Sequence, residues 1–243
     1  MRAETAHAAM RALPVRTFDA IFGPAPLLIL APHPDDESLG CGGTIAEACA
    51  RGHRVHVAIL TDGTKSHPGS KAWPAPRLAA KRRAEALAAT RALGLAPEYV
   101  HFLDEPDTRA PQEGEAFEAA LRRLCAILTA ARIGTLCSSW RGDPHGDHTA
   151  AAILADHACR NLDLRHLAYP VWGWTLEANA RAPDIAGGAR LDIARHLPRK
   201  RRAIAAHATQ HAGLIDDDPQ GFQLSPSFLA LFDGRFETFV EPP

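Results

Sequence analysis

The chain has 243 residues, 46% hydrophobic and 23% charged, with a formal net charge of −1. This is the composition of a globular protein with room for a sizeable core, and its charge gives no basis for a nucleic-acid partner or a strongly anionic membrane surface. The cysteines Cys41, Cys49, Cys125, Cys137 and Cys159 form no C-x-x-C pair. A disulfide scaffold and a cysteine-rich zinc site are therefore not expected, and a cytoplasmic location is. Glu4, Arg11 and Arg16 interrupt the N-terminal stretch, which argues against a signal peptide, and no run of about 18 apolar residues is present to make a transmembrane segment.

Residues 1–25 read as a short amphipathic helix and an irregular lead-in. Leu27 to Leu30 is an apolar run stopped by Pro32 and Pro34, the pattern of a buried strand. His33, Asp35, Asp36 and Glu37 follow at once. Gly40, Gly42 and Gly43 do not make G-x-G-x-x-G, and the acids before them would repel a phosphate, so they read as a tight loop with close packing. A helix is expected from 42 to 51, ended by Gly52.

Residues 54–60 alternate as a strand does and end at the turn Thr61-Asp62-Gly63. Residues 64–76, rich in Ser, Pro, Gly and Lys, are expected to be a mobile surface loop, with Lys65 and Ser66 placed to cover a substrate. A helix over 77–93 with Gly94 past its end, a strand over 99–103 and an acidic loop over 104–114 come next. Phe117, Leu121, Leu124 and Leu128 mark a helix over 116–132. A short strand at 135–138 leads into the loop Trp140 to His148, followed by a helix at 149–160 and a strand at 167–172. Near the C-terminus a strand at 191–197, a helix at 198–213 and a strand at 236–240 are expected.

Strands alternating with helices predict an α/β protein with an open, mostly parallel sheet, helices on both faces and right-handed crossovers. No linker divides the chain, so one domain is expected over 1–243, with a βαβ half at 26–160 and a C-terminal part at 161–243 completing the sheet and substrate region. His33-x-x-Asp36 and His145-x-x-His148 each lie at a strand's carboxyl end, just before a helix. If the first and fourth strands of that half are neighbours, these two loops face one another at the switch point, where open α/β sheets bind ligands. Two histidines and a carboxylate suit a divalent metal such as zinc with room left for water, and Asp35 beside them can act as general base. The competing structural reading makes Asp35, Asp36 and Glu37 acids that favour a helix start.

PHPDDE followed by GCGGTIA, with HGDHTAAA more than a hundred residues later, resembles the two signatures of the LmbE-like (PIG-L) zinc-dependent N-deacetylases. Thr61-Asp62-Gly63, Arg82 with Glu85, Leu93-Gly94, and the Lys200, Ala203, His207, Thr209, Gln210 spacing extend the resemblance over most of the chain. It implies a Rossmann-like fold and Zn²⁺-dependent removal of N-acetyl from an N-acetylglucosamine-type glycoconjugate or glycolipid. It further implies that His33, Asp36 and His148 are the zinc ligands and Asp35 the base. His145 would assist the oxyanion or the leaving amine as a charged imidazolium, with Asp147 as the carboxylate that orients it.

Arg82 either holds substrate or pairs with Glu85 on its own helix. Asp107 either binds sugar hydroxyls or is a plain loop acid. Asp62, His207 and Gln210 are placed to support the site from behind, although by composition alone the last two are helix-face residues. Trp140, Trp172 and Trp174 follow strand ends and suit either sugar stacking or core packing. Two other readings stand beside this one: a metal-dependent amidohydrolase acting on a non-sugar N-acyl substrate, and a non-catalytic Rossmann-like sugar- or nucleotide-binding domain. The aglycone and the oligomeric state are not legible.

Overall fold

The structure is a computed structural model describing residues 1–242. The N-terminal lead-in is ordered into α1 (Ala3–Ala12), a two-residue strand β1 (Val15–Arg16) and a short helix α2 (Phe18–Phe22), which Thr17 caps by accepting the Ala20 N–H. Strand β2 (Leu27–Ala31) is buried at every position. Its side chains divide by parity: Leu27, Ile29 and Ala31 enter one apolar core, Leu28 and Leu30 the other. A strand apolar on both faces is what a sheet covered on both sides requires.

Helix α3 (Asp36–Arg51) leads to β3 (Val55–Thr61), α4 (Ala75–Leu93) to β4 (Val100–Glu105), α5 (Gly114–Ala130) to β5 (Thr135–Ser139), and α6 (Gly146–Leu162) to β6 (Arg165–Tyr169). Strand β7 (Gly188–Asp192), helices α7 (Leu197–Ala206), α8 (Ala208–His211) and α9 (Pro226–Ala230), and strand β8 (Phe236–Val240) complete the chain. The sheet order is β1-β7-β8-β6-β5-β2-β3-β4, and only the pairings of β8 with β6 and β7 are antiparallel. β2 lies beside β3 on one side and β5 on the other. The sheet therefore reverses direction at β2, which sets the carboxyl ends of β2 and β5 side by side. Side chains of α3, α4 and α7 fill one core, and those of α5 and α6 the other.

The expected loop at the glycines is helix instead. α3 begins at Asp36, six residues early, and Gly40, Gly42 and Gly43 lie inside it. A Cβ at Gly40 would sit 2.2 Å from the Tyr169 ring, and one at Gly43 2.5 Å from Ile193. The glycines let α3 approach its neighbours, and that packing outweighs a helix propensity cost of about 1 kcal/mol each. α6 likewise starts early, at Gly146, because His145 caps it by accepting the Asp147 N–H.

Residues 64–74 are not a free loop: Ser66 and His67 are buried, and Asp217 and Asp218 accept backbone N–H bonds from Gly69, Lys71 and Ala72. Residues 75 and 76 open α4, where a proline in the first turn lacks no needed donor. The expected 198–213 helix breaks at His207, and the strands expected at 167–172 and 191–197 lie a few residues earlier, each followed by a 3-10 turn. No helix among the described residues is long and apolar enough to cross a membrane.

Gly40→Ala is expected to cost about 1–3 kcal/mol by overpacking. Urea unfolding monitored by circular dichroism measures it.

Candidate metal centre

The adjoining ends of β2 and β5 bring His33, Asp36 and His148 together. Asp36 Oδ2 lies 3.2 Å from His33 Nδ1 and 3.3 Å from His148 Nε2, and accepts the His33 backbone N–H at 2.9 Å. Each imidazole is held from behind. His33 Nε2 donates to Asp147 Oδ2 at 3.0 Å, and His148 Nδ1 donates to Asp143 Oδ2 at 2.8 Å. Ionised carboxylates only accept, so each ring keeps a proton on its far nitrogen and turns its near nitrogen toward Asp36. His148 Nε2 is buried and has no hydrogen-bond partner.

An orphaned imidazole nitrogen, a second one facing the same carboxylate, and a carboxylate behind each ring form a donor set that fits a divalent cation such as zinc. Without a cation the acids draw protons instead. Burial disfavours the charged form of His148, but Asp36 and Asp143 outweigh it and raise its pKa to about 9. Burial also opposes the charge on His33, but its bonds to Asp107, Asp147 and Asp36 raise its pKa well above the ordinary value. Burial likewise works against ionised Asp36, yet His148 and His33 hold its carboxyl far below the usual range. A cation and these protons would compete for one place. Two sets bring ligand atoms within 4.8 Å of one another, His33 with His145 and His148, and His33 with Asp107 and Asp147; Asp36 is in neither.

A cavity of about 370 Å³ opens over this cluster and is faced by His33, Asp35, Asp36, Arg82, Asp107 and His145. Asp35 caps α3 with φ 155° and ψ −28°, a backbone conformation costing about 1–3 kcal/mol. Its N–H donates to Glu37 Oε2 at 3.0 Å, and its carboxylate meets Arg82 Nη2 at 3.1 Å. Burial pushes the Asp35 carboxyl up to about 6, against the opposing charge of Arg82.

The profile of the PIG-L family, described as GlcNAc-PI de-N-acetylase, matches residues 28–159, more than half of the sequence. The chain belongs to the PIG-L family. A 1D-myo-inositol 2-acetamido-2-deoxy-alpha-D-glucopyranoside deacetylase from Mycolicibacterium smegmatis is 28% identical, over 82% of this chain and 84% of its own. The protein of the same name from Actinosynnema mirum is 30% identical, over 77% of this chain and 81% of its own. The solved N,N'-diacetylchitobiose deacetylase from Pyrococcus horikoshii superposes with a TM-score of 0.68 at 22% identity, covering 98% of this chain and 92% of that one. This last likeness supports the Rossmann-like fold alone.

Several expected contacts of this PIG-L chain are different. Asp147 does not orient His145: its carboxylate bonds His33 and accepts the N–H groups of Thr108 (2.7 Å) and Ala110 (3.0 Å). In the metal-free protein, burial and the neighbouring charges of His33 and His148 lower the pKa of His145. Its Nδ1 accepts the Asp147 N–H, so the neutral ring carries its proton on Nε2. Arg82 ignores Glu85 and donates to the carbonyls of Gly63 (2.9 Å) and Pro34 (2.8 Å) as well as to Asp35, whereas Glu85 bonds Thr209. A Cβ at Gly63 would lie 2.6 Å from Arg82 Nη1, so glycine is required there.

Among the described residues Asp62 forms no hydrogen bond to His33, Asp36 or His148. It accepts from Thr64 and shapes the turn that presents Gly63. Asp107 accepts the Lys65 N–H at 2.7 Å and lies 3.5 Å from His33 Nε2. Burial raises its pKa, but the His33 contacts dominate and bring it down to about 2. Gln210 lines the cavity itself, and His207 stands behind Asp35, bonded through Nε2 to Glu37 Oε1 at 2.9 Å.

Two carboxylates escaped sequence reasoning. Asp143 lies within the Trp140 to His148 loop singled out by sequence, yet only its bonds to His148 and to the N–H groups of Val171, Trp172 and Gly173 reveal its role. Glu37, read only as a helix-start acid, is wholly buried and ties Asp35, Ser38 and His207 together.

In metal-free protein, Arg82→Met is expected to move the Asp35 titration above its native value of about 6, because the opposing cation is gone. Carboxyl carbon NMR against pH measures it, and a downward shift would contradict the assigned ion pair.

Proposed function

We propose that the chain is a metal-dependent hydrolase that removes the N-acetyl group from an N-acetylglucosamine-type glycoconjugate, working as one deacetylase domain. The observation that carries this reading is the pairing of His33 and His148, each backed by a carboxylate and turned toward Asp36, with Asp35 buried beside them at the cavity floor. The names of the two relatives support the substrate class.

His33, Asp36 and His148 would hold the metal, taken as zinc. Bound there, it supplies Lewis-acid activation of water and of the amide carbonyl. The residues of the chain do the rest. Asp35, with its pKa near 6, is ionised at neutral pH and accepts a proton as water adds to the carbonyl carbon. Arg82 fixes the Asp35 carboxylate from the side, and the Glu37 bond to its N–H fixes its backbone. His145, neutral with its proton on Nε2, donates a hydrogen bond to the oxygen that gains charge.

When the C–N bond breaks, Asp35 returns its proton to the departing nitrogen, giving the free amine and acetic acid, which ionises to acetate at neutral pH. Asp107 and Gln210 line the cavity with acceptors and donors suited to sugar hydroxyls. The C-terminal part completes the wall with Trp172, Phe222 and Leu224.

Incubation with a panel of N-acetylglucosamine conjugates, read by mass spectrometry, is expected to show loss of acetyl; no loss from any member contradicts the reading. Chelation should abolish turnover and Zn²⁺ restore it. Asp35→Asn is expected to lower kcat by about 10²–10⁴-fold with unchanged metal content, so near-native turnover in that variant removes Asp35 as base.

A further inference from the structure

Beside the catalytic cavity runs an open groove of about 500 Å³. Cavity and groove share three side chains, Trp172, Phe222 and Leu224, and the groove continues over Trp174, Phe228 and Leu231. Trp172 stacks on Phe228 with ring centroids 4.2 Å apart, and Phe222 meets Trp172 edge-on at 5.6 Å. Phe222 and Leu231 are 39% and 44% exposed, high for large apolar side chains. Among the described residues no Asp, Glu, Lys, Arg or His lines the groove. Besides the two indoles, its polar lining is Thr175, Gln223, Ser225 and Ser227.

The groove is built into the site. The Phe222 N–H donates to the Ser66 carbonyl at 2.6 Å, and the Leu224 N–H to the Gln210 carbonyl at 2.7 Å. Ser66 and Gln210 both line the catalytic cavity, so the shared wall is bonded directly to it. Ser225 caps α9 by accepting the Phe228 N–H at 3.1 Å, which fixes the ring under Trp172.

We infer that this groove is the aglycone subsite and that it takes an uncharged apolar group, an alkyl or aryl chain, carried by the amino sugar. The inference rests on the deacetylase reading for the sugar half of the substrate. Continuity with the cavity selects the aglycone as occupant, since Trp172, Phe222 and Leu224 line both the cavity and the groove. The lining selects its chemistry. A phosphate-bearing aglycone finds no cation among the lining side chains, Arg11 standing outside them at 5.6 Å from the Trp174 ring centroid, and the wall is largely aromatic and aliphatic.

The test separates binding from turnover. Calorimetry on Zn²⁺-supplemented Asp35→Asn protein compares the methyl and octyl glycosides of N-acetylglucosamine, the latter below its micelle concentration. The octyl glycoside is expected to bind at least about 10-fold more tightly, the effect of burying several methylenes. In Leu231→Asp and in Ser227→Trp that ratio should fall toward parity. Equal affinities in the starting protein overturn the inference, and so does an octyl preference unchanged in both variants. If Leu231→Asp instead splits a dimer in sedimentation while the ratio holds, a second copy of the chain covers the groove and the inference fails. Acetate release from either glycoside by the native chain reports separately on the deacetylase reading. Its absence beside an intact octyl preference refutes the reaction and not the subsite.

Discussion

Two buried imidazoles face one carboxylate because two further carboxylates hold them from behind. Asp147 fixes the far nitrogen of His33, and Asp143 that of His148. The arrangement draws on three strand ends at once. His33 follows β2, Asp143 and His148 follow β5, and Asp147 is itself pinned by backbone N–H groups of Thr108 and Ala110 after β4. None of these side chains can turn without leaving a charged partner unsatisfied in a buried setting, which costs several kcal/mol by the usual order of magnitude. The sheet reversal at β2 is what brings the three ends within reach.

The proposed hydrolysis also calls for a carboxylate that stays uncoordinated and ready to accept a proton. Asp35 meets it through opposing influences: burial raises its pKa, and Arg82 limits the rise. Its backbone strain falls at the same residue and is contained by the Glu37 bond to its N–H, with His207 locking Glu37 from the far side. Burial opposes the charge on His207, but Glu37 overcomes this and raises its pKa. Strain located at a reacting group and supported by its neighbours is a recurring property of functional sites.

The strands around the site were legible because Leu27–Ala31 is an apolar run, Val55–Thr61 alternates and is β-branched, and these and the short Thr135–Ser139 segment are each followed by turn or loop residues. The ligand candidates were legible because His33 with Asp36, and His145 with His148, stand at those cut-off points. The start of α3 was not, because the helix tolerates three glycines only where Tyr169, Lys200 and Ile193 come close, and those contacts span more than a hundred residues. Long separation also hid the Glu37–His207 bond. Asp143 was hidden differently: it sits in a turn where acids are common, and only the path of the chain after β6 supplies the N–H groups that make it structural. The Asp147 carboxylate bonds His33, more than a hundred residues away, whereas the family resemblance implied His145.

The central claim is that the cation belongs between the near nitrogens of His33 and His148 and the Asp36 carboxylate, leaving Asp35 free. Crystals of the zinc-loaded chain, measured on both sides of the zinc absorption edge, test this directly. The account predicts one anomalous peak bonded to His33 Nδ1, Asp36 and His148 Nε2, with Asp35 unbonded. A peak among His33 Nε2, Asp107 and Asp147, or one bonded to Asp35, would contradict it.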